Sequence, residues 1–195
     1  MPTYPTPAAV RSTAHAPIRM PNLSALIAGA SLAKVVEAIW VPAVAATLIV
    51  TAGAIGYWLK QPWLFAGLGP TALMLATHPG HETTRFRAVV ISHLAAIGVA
   101  YLALLLLNAQ VATSVVTRAT VAMPRVWASA ASLAMLAILL PQLKAYHPPA
   151  AATALLVTLG AYRMTGKTPL ALMAGVVAVA VVAEVAQRIR PTRSR

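Results

Sequence analysis

The side chains able to do chemistry in this sequence are few, and the missing types exclude a good deal. There are five histidines, no cysteine and no aspartate, and the only acids are Glu37, Glu82 and Glu184. No Ser–His–Asp or cysteine-nucleophile set can be assembled, and three scattered glutamates support neither two-carboxylate catalysis nor carboxylate-bound magnesium. The chain is therefore not expected to be an enzyme. His78-Pro79-Gly80-His81-Glu82 sets two imidazoles three residues apart beside a carboxylate. A membrane enzyme using a metal there is a third reading, but the ligands are too few and the spacing is not that of a helix-borne His-Glu-x-x-His. These residues read as a loop, with no metal site and no cofactor.

What remains favours negative charge. Fifteen Lys and Arg against three acids give a formal charge of +12. Arg85 and Arg87 precede a long apolar run that contains His93, while Lys144 and His147 precede Pro148-Pro149. Helix N-termini carry about half a positive charge and attract anions. Pro148 and Pro149 remove two N–H donors, so the dipole and His147 must supply more of the attraction. Pro70 stands similarly before Thr71, and Thr71 and Thr153 can offer hydroxyl donors. Each of these residues also has a plainer use. Thr can back-bond to its own helix, His147 can serve a tight turn, and His93 can bond between helices instead of gating a path.

The elements that must position these groups are membrane helices. Of 195 residues 59% are hydrophobic and 9% charged, with a mean hydropathy of +0.77. Several apolar runs reach the ~20 residues that cross about 30 Å of hydrocarbon. Four spans are expected, at 38–59, 88–107, 126–143 and 169–187. Two shorter stretches, 63–77 and 149–162, are broken by proline. Helices restarting at Pro70 and at His147-Pro148-Pro149 would cover only about half a bilayer. The expected fold is all-α: a polytopic membrane helical bundle of four full spans plus two short Pro-opened helices, half-spanning or re-entrant, in two internal repeats. Thr71-Ala72-Leu73-Met74-Leu75 resembles Thr153-Ala154-Leu155-Leu156-Val157, 82 residues on, and long span, short element, long span occurs twice. Transporters and channels built from repeats have this pattern, with discontinuous helices meeting at the substrate.

By domain, 1–22 reads as a disordered basic tail with five prolines and 23–37 as an amphipathic interfacial helix. Residues 38–187 form the transmembrane domain and 188–195 a basic tail. Crossing by both short stretches puts ten Lys and Arg inside against five outside; re-entry gives nine against six. Both place the termini in the cytoplasm, most simply of a bacterial inner membrane. The basic residues lie in loops and tails, so nucleic acid is not an expected partner. The expected partners are a small anion and, at the basic tails, anionic lipid headgroups. Many small residues on few spans suggest a homo-oligomer.

His147-Pro148-Pro149-Ala150, with Ala152-Thr153-Ala154-Leu155 and Leu159-Gly160, resembles the defining stretch of the HPP family of integral membrane proteins. Gly67-Leu68-Gly69-Pro70-Thr71-Ala72-Leu73-Met74-Leu75 resembles its small-residue segment, and Arg87 and His93 match its Arg and His six positions apart. The likeness covers roughly 60–190. It departs at Phe86-Arg87-Ala88, where the family has Pro-Arg-Asn, and at Ser92, where it has Gly before the His. The resemblance implies four membrane spans and transport, with nitrite or a similar small anion as leading substrate. The alternative expectation is a non-transporting scaffold or sensor subunit that uses its basic tails to bind anionic lipid or a partner.

Overall fold

The computed structural model describes residues 32–189. The expected tail at 1–22, most of the interfacial helix at 23–37 and the end of the C-terminal tail lie outside the described residues. The chain falls into two units, Met1–Val36 and Glu37–Arg195. The described part of the first is the opening of a helix that continues into the second.

The described residues form seven helices and no strand: α1 (Leu32–Leu59), α2 (Leu68–Thr77), α3 (Phe86–Leu106), α4 (Val115–Arg118), α5 (Met123–Gln142), α6 (Ala150–Thr158) and α7 (Lys167–Ile189). Single 3-10 turns occupy Glu82–Thr84 and Ala109–Val111. Four helices are long and apolar enough to cross a membrane, over Ala38–Leu59, Phe86–Leu106, Met123–Gln142 and Lys167–Ile189. These sequences mix Ala and Leu with β-branched Val and Ile and stay helical, because in hydrocarbon a backbone must satisfy its polar groups within the segment. The spans agree with those expected to within three residues at each end, while α1 begins at Leu32 with no break before residue 38. The order long, short, long occurs twice, as α1–α2–α3 and α5–α6–α7.

The two halves share a device that sequence reading did not reveal. Helix α1 is closed by Gln61 N–H donating to Gly56 O (2.9 Å) and Lys60 N–H to Tyr57 O (3.3 Å), with Lys60 at φ 54°. Helix α5 is closed the same way: Ala145 N–H to Leu140 O (3.2 Å), Lys144 N–H to Pro141 O (3.1 Å), and Lys144 at φ 48°. Each is a Schellman closure with a lysine where glycine is usual. The chain then turns back toward a short helix. Lys144 therefore ends a helix, whatever else its charge does.

Helix α3 is the axle. Half of its span is buried, against 11% for α1, and it packs on α5, α6 and α7. Its buried face carries Ala88, Ser92, Ala96 and Ala100 at four-residue spacing. Such a small-residue stripe lets backbones approach closely where lipid supplies no hydrophobic drive between helices. Helix α6 answers with Ala150 and Ala154, and α5 with Ala128 and Ser132. The chain from α1 to α2 enters the bundle between glycines. A Cβ on Gly56 would lie 2.9 Å from the Trp63 Cβ, and one on Gly175 of α7 would lie 2.9 Å from the Trp63 carbonyl oxygen.

Candidate functional site

The short helices open in the same manner, though not where proline alone predicts. Helix α2 begins at Leu68, not Pro70. Leu68 N–H donates to Phe65 O (2.9 Å) and Gly69 N–H to Ala66 O (3.3 Å), which places Pro70 in the first turn, where its missing donor costs nothing. Helix α6 opens with Ala150, Ala151 and Ala152 N–H donating to the carbonyls of His147, Pro148 and Pro149 at 3.0, 3.0 and 3.1 Å. The donors usually left free at a helix start therefore fall on Pro148 and Pro149, which have none. No spare N–H remains at this N-terminus to hold an anion; only the dipole and His147 are left.

The two openings converge on one ring. His93, on the inner face of α3, is fully buried; its Nδ1 lies 2.9 Å from Thr153 Oγ1 of α6 and its Nε2 lies 3.0 Å from Thr71 Oγ1 of α2. Thr71 Oγ1 also stands 3.0 Å from the Gly67 carbonyl and 3.3 Å from His147 Nε2. His147 is equally buried, and its Nδ1 is 2.8 Å from the Thr83 carbonyl. The two imidazole centroids are 5.5 Å apart. Gly67 makes the convergence possible, since a Cβ there would sit 2.6 Å from Thr153 Oγ1. Ser92, one residue before His93, hydrogen-bonds the Ala145 and Ala88 carbonyls and pins the His147 loop to α3.

His147 lies in the connection between α5 and α6, outside the four spans. Burial pushes its pKa down, partly opposed by the bond to the Thr83 carbonyl, which favours the charged ring. Among the described residues, no carboxylate touches the cluster. Glu82 is exposed, and among the described residues the one ion pair joins Glu184 to Arg188 at 3.3 Å. No group of three His, Cys, Asp or Glu is placed to hold a metal among these residues.

Thus His147, Thr71, Thr153 and His93 come together, with Pro149 half-buried beside them. Arg85, Arg87, Lys144, Pro70 and Pro148 are exposed and do not enter the cluster. Six helical positions separate Arg87 from His93 by about 9 Å along the axis and about 120° around it, so one face cannot hold both. The Thr83–His147 bond draws the turn before α3 against the connection after α5, so Arg85 and Lys144 flank the same end of the bundle.

Sequence reading missed Gly67, Ser92, Thr83 and above all Arg125, which is 6% exposed near the start of α5. Arg125 Nη1 donates to Thr158 O (2.9 Å) and Nη2 to Ala112 O (2.8 Å). Val115 N–H takes Leu159 O (3.0 Å) and Ser114 Oγ takes Gly160 O (2.7 Å). The last carbonyls of α6 are thereby satisfied, with a guanidinium at the negative end of the helix dipole. Gly160 has φ 81°, and a Cβ on it would lie 2.9 Å from Arg125 Cζ, so glycine is required twice over. A short helix buried among others has both ends tied.

These motifs now have a family context. Residues 30–195 match the family described as HPP, transmembrane region. The chain belongs to the HPP family. No curated protein and no solved structure matches it. Family membership and four apolar helices make it an integral membrane protein. The His147-Pro148-Pro149 run is the lead-in to α6 and one wall of the buried cluster in this HPP protein.

Proposed function

We propose that this HPP protein is a transporter or channel for a small inorganic anion, with nitrite or a similar monovalent anion as the leading substrate and no catalytic role. One observation carries the reading: a polar cluster without a carboxylate, His93–Thr71–His147–Thr153, lies at the meeting of two short helices inside an apolar bundle. Polar side chains buried among apolar helices are costly unless partnered, and in membrane proteins they are characteristically functional. At 10 and 9 residues, α2 and α6 are about 15 and 14 Å long, in keeping with half-spanning elements whose N-termini meet around a substrate. Arg85, Arg87 and Lys144 are exposed cations that would raise the local anion concentration. In this reading the protein sits in a bacterial inner membrane as a homo-oligomer, with both termini cytoplasmic and its basic tails on anionic lipid.

The test is nitrite flux into proteoliposomes. Flux above empty liposomes is expected, and it should fall in His147→Ala with Arg87→Ala. Unchanged flux in that double variant would overturn the residue assignment, and no flux of any monovalent anion would overturn the function. Deleting 188–195 separates the scaffold reading, since a transporter keeps its flux without that tail.

A further inference from the structure

The neutral His–Thr cluster closes on itself. His147 Nδ1–H donates to Thr83 O, the Thr71 hydroxyl to His147 Nε2, His93 Nε2–H to Thr71 Oγ1 and the Thr153 hydroxyl to His93 Nδ1. Every hydrogen in it has an acceptor, so an arriving anion has to find a donor elsewhere. Among the described residues, the buried side-chain donor without a partner is Arg125 Nε–H.

Arg125 is 6% exposed, and carbonyls alone meet its charge. Nη1 donates to Thr158 O at 2.9 Å. Nη2 gives one hydrogen to Ala112 O at 2.8 Å and has only Gln110 O, at 3.5 Å, for the other, the outer limit of a hydrogen bond. Gln110 Oε1 is buried without a partner as well. Orphaned polar atoms are costly to bury, and a guanidinium out of water calls for an opposite charge. The described carboxylates are not at hand. Gly80 N–H donates to Gln187 Oε1 (3.2 Å), which ties the end of α7, with Glu184, to the turn that holds Glu82, at the His147 end of the bundle. Arg125 stands at the opposite end, among exposed Arg118, Arg163 and Lys167.

The free edge of the guanidinium suits an anion with two oxygens side by side. One oxygen takes Nε–H and the other the loosely held Nη2 hydrogen, the planar fork by which arginine recognises oxyanions. A half-turn of the Gln110 carboxamide exchanges its orphaned oxygen for its NH2 and adds a third donor; the exposed Asn108 amide, now bonded to Gln110 Nε2 at 2.9 Å, turns with it. Hydroxyls lead inward from there. Arg125, Ser129 and Ser132 share one face of α5 at spacings of four and three, and Ser129 Oγ lies 2.8 Å from Thr158 Oγ1. Thr158 is five positions along α6 from Thr153 of the cluster, about 8 Å.

We propose that Arg125 and Gln110 form a binding site for one small planar monovalent oxyanion, at the opposite end of α6 from His147. This deepens the transport reading above and rests on it for the anion's onward passage. Binding itself does not require passage.

The test uses the full chain with ¹⁵N-labelled arginine in uncharged maltoside micelles, with the Nε–H signals read by NMR at constant ionic strength. The Arg125 signal is the solvent-protected one that is missing from Arg125→Lys. Sodium nitrite should shift it saturably, while the exposed arginines move little. Gln110→Leu keeps every bond from Arg125 to backbone carbonyls and should weaken nitrite about tenfold or more, the worth of one hydrogen bond to a charged group. In proteoliposomes the same variant should raise the half-saturating nitrite concentration of flux by a similar factor, with the ring nitrogens of labelled His93 unchanged. An Arg125 signal that ignores nitrite, as it does if water alone meets Nε–H, would overturn the proposal. So would a signal that answers to added phosphatidylglycerol and not to nitrite, or equal affinity in Gln110→Leu. Saturable binding without flux upholds the site and removes the transport reading.

Discussion

Replacing Gly67 by alanine has opposite consequences according to whether α2 and α6 touch. Gly67 has φ −66° and ψ −21°, ordinary helical values. On local grounds, Gly→Ala at such a position stabilises by about 0.4–1 kcal/mol by restricting the unfolded chain. The tertiary structure reverses the sign. The new Cβ would lie 2.6 Å from Thr153 Oγ1 and 3.0 Å from Phe65 Cε2, so Thr153 has to move by more than half an ångström from a contact that holds His93 Nδ1 at 2.9 Å. Overpacking costs about 1–3 kcal/mol and an unmatched buried nitrogen a further ~1–3 kcal/mol. Offset by the local gain, Gly67→Ala should destabilise by about 2–4 kcal/mol. Thr153→Ala removes the obstructing oxygen, so the double variant should be little worse than Thr153→Ala alone, giving a coupling of about 1–3 kcal/mol. The assay is a double-mutant cycle by reversible unfolding in detergent, with the ¹⁵N signal of His93 Nδ1 followed in parallel. A neutral or stabilising Gly67→Ala, or additivity within about 0.5 kcal/mol, would refute the contact between the short helices.

Other substitutions probe the supports. Arg125→Lys loses the planar fork that reaches Thr158 O and Ala112 O together, and should cost about 2–3 kcal/mol, seen as a lower unfolding midpoint. Lys144→Gly relieves a left-handed residue and should stabilise by about 1 kcal/mol. If the exposed lysine also gathers anions, the same variant raises the apparent KM for nitrite at low ionic strength, an effect that vanishes in concentrated salt. The lowered His147 pKa has a definite sign. The unfolded chain binds the proton more readily, so stability without added anion is full above about pH 6.5 and falls as pH drops toward the folded-state value. Thermal unfolding against pH checks this, and His147→Gln should flatten the curve.

The spans were legible because runs without charge have one structural outcome in hydrocarbon, and the boundaries agree within three residues. The short helices were legible as pieces too short to cross, though the start of α2 was misplaced by two residues because a proline marks a first turn and not its first position. Thr71, Thr153, His93 and His147 stood out as polar groups among apolar ones. The supporting shell did not, since Thr83, Ala145, Thr158 and Gly67 take part through backbone carbonyls, which have no signature in side-chain identity. Arg125 had no sequence signature, because its burial depends on three segments folding over it. Arg85 and Arg87 drew attention by proximity along the chain, but α3 carries them to an exposed end.

The repeat is symmetric in frame and asymmetric in chemistry. Carrying His93 forward by 81 residues, the offset of the spans 88–107 and 169–187, gives Ala174, and carrying His147 back by the 82 of the Thr pair gives Phe65. A single imidazole, His93, therefore stands between the two halves, with one nitrogen assigned to each short helix. If α2 swings away from α3, the Nε2 resonance loses its partner and changes most; if α6 does, Nδ1 changes most. The ring is thus a two-channel indicator wired by the fold itself, and a labelled histidine can tell which half of the protein moves without any probe being attached.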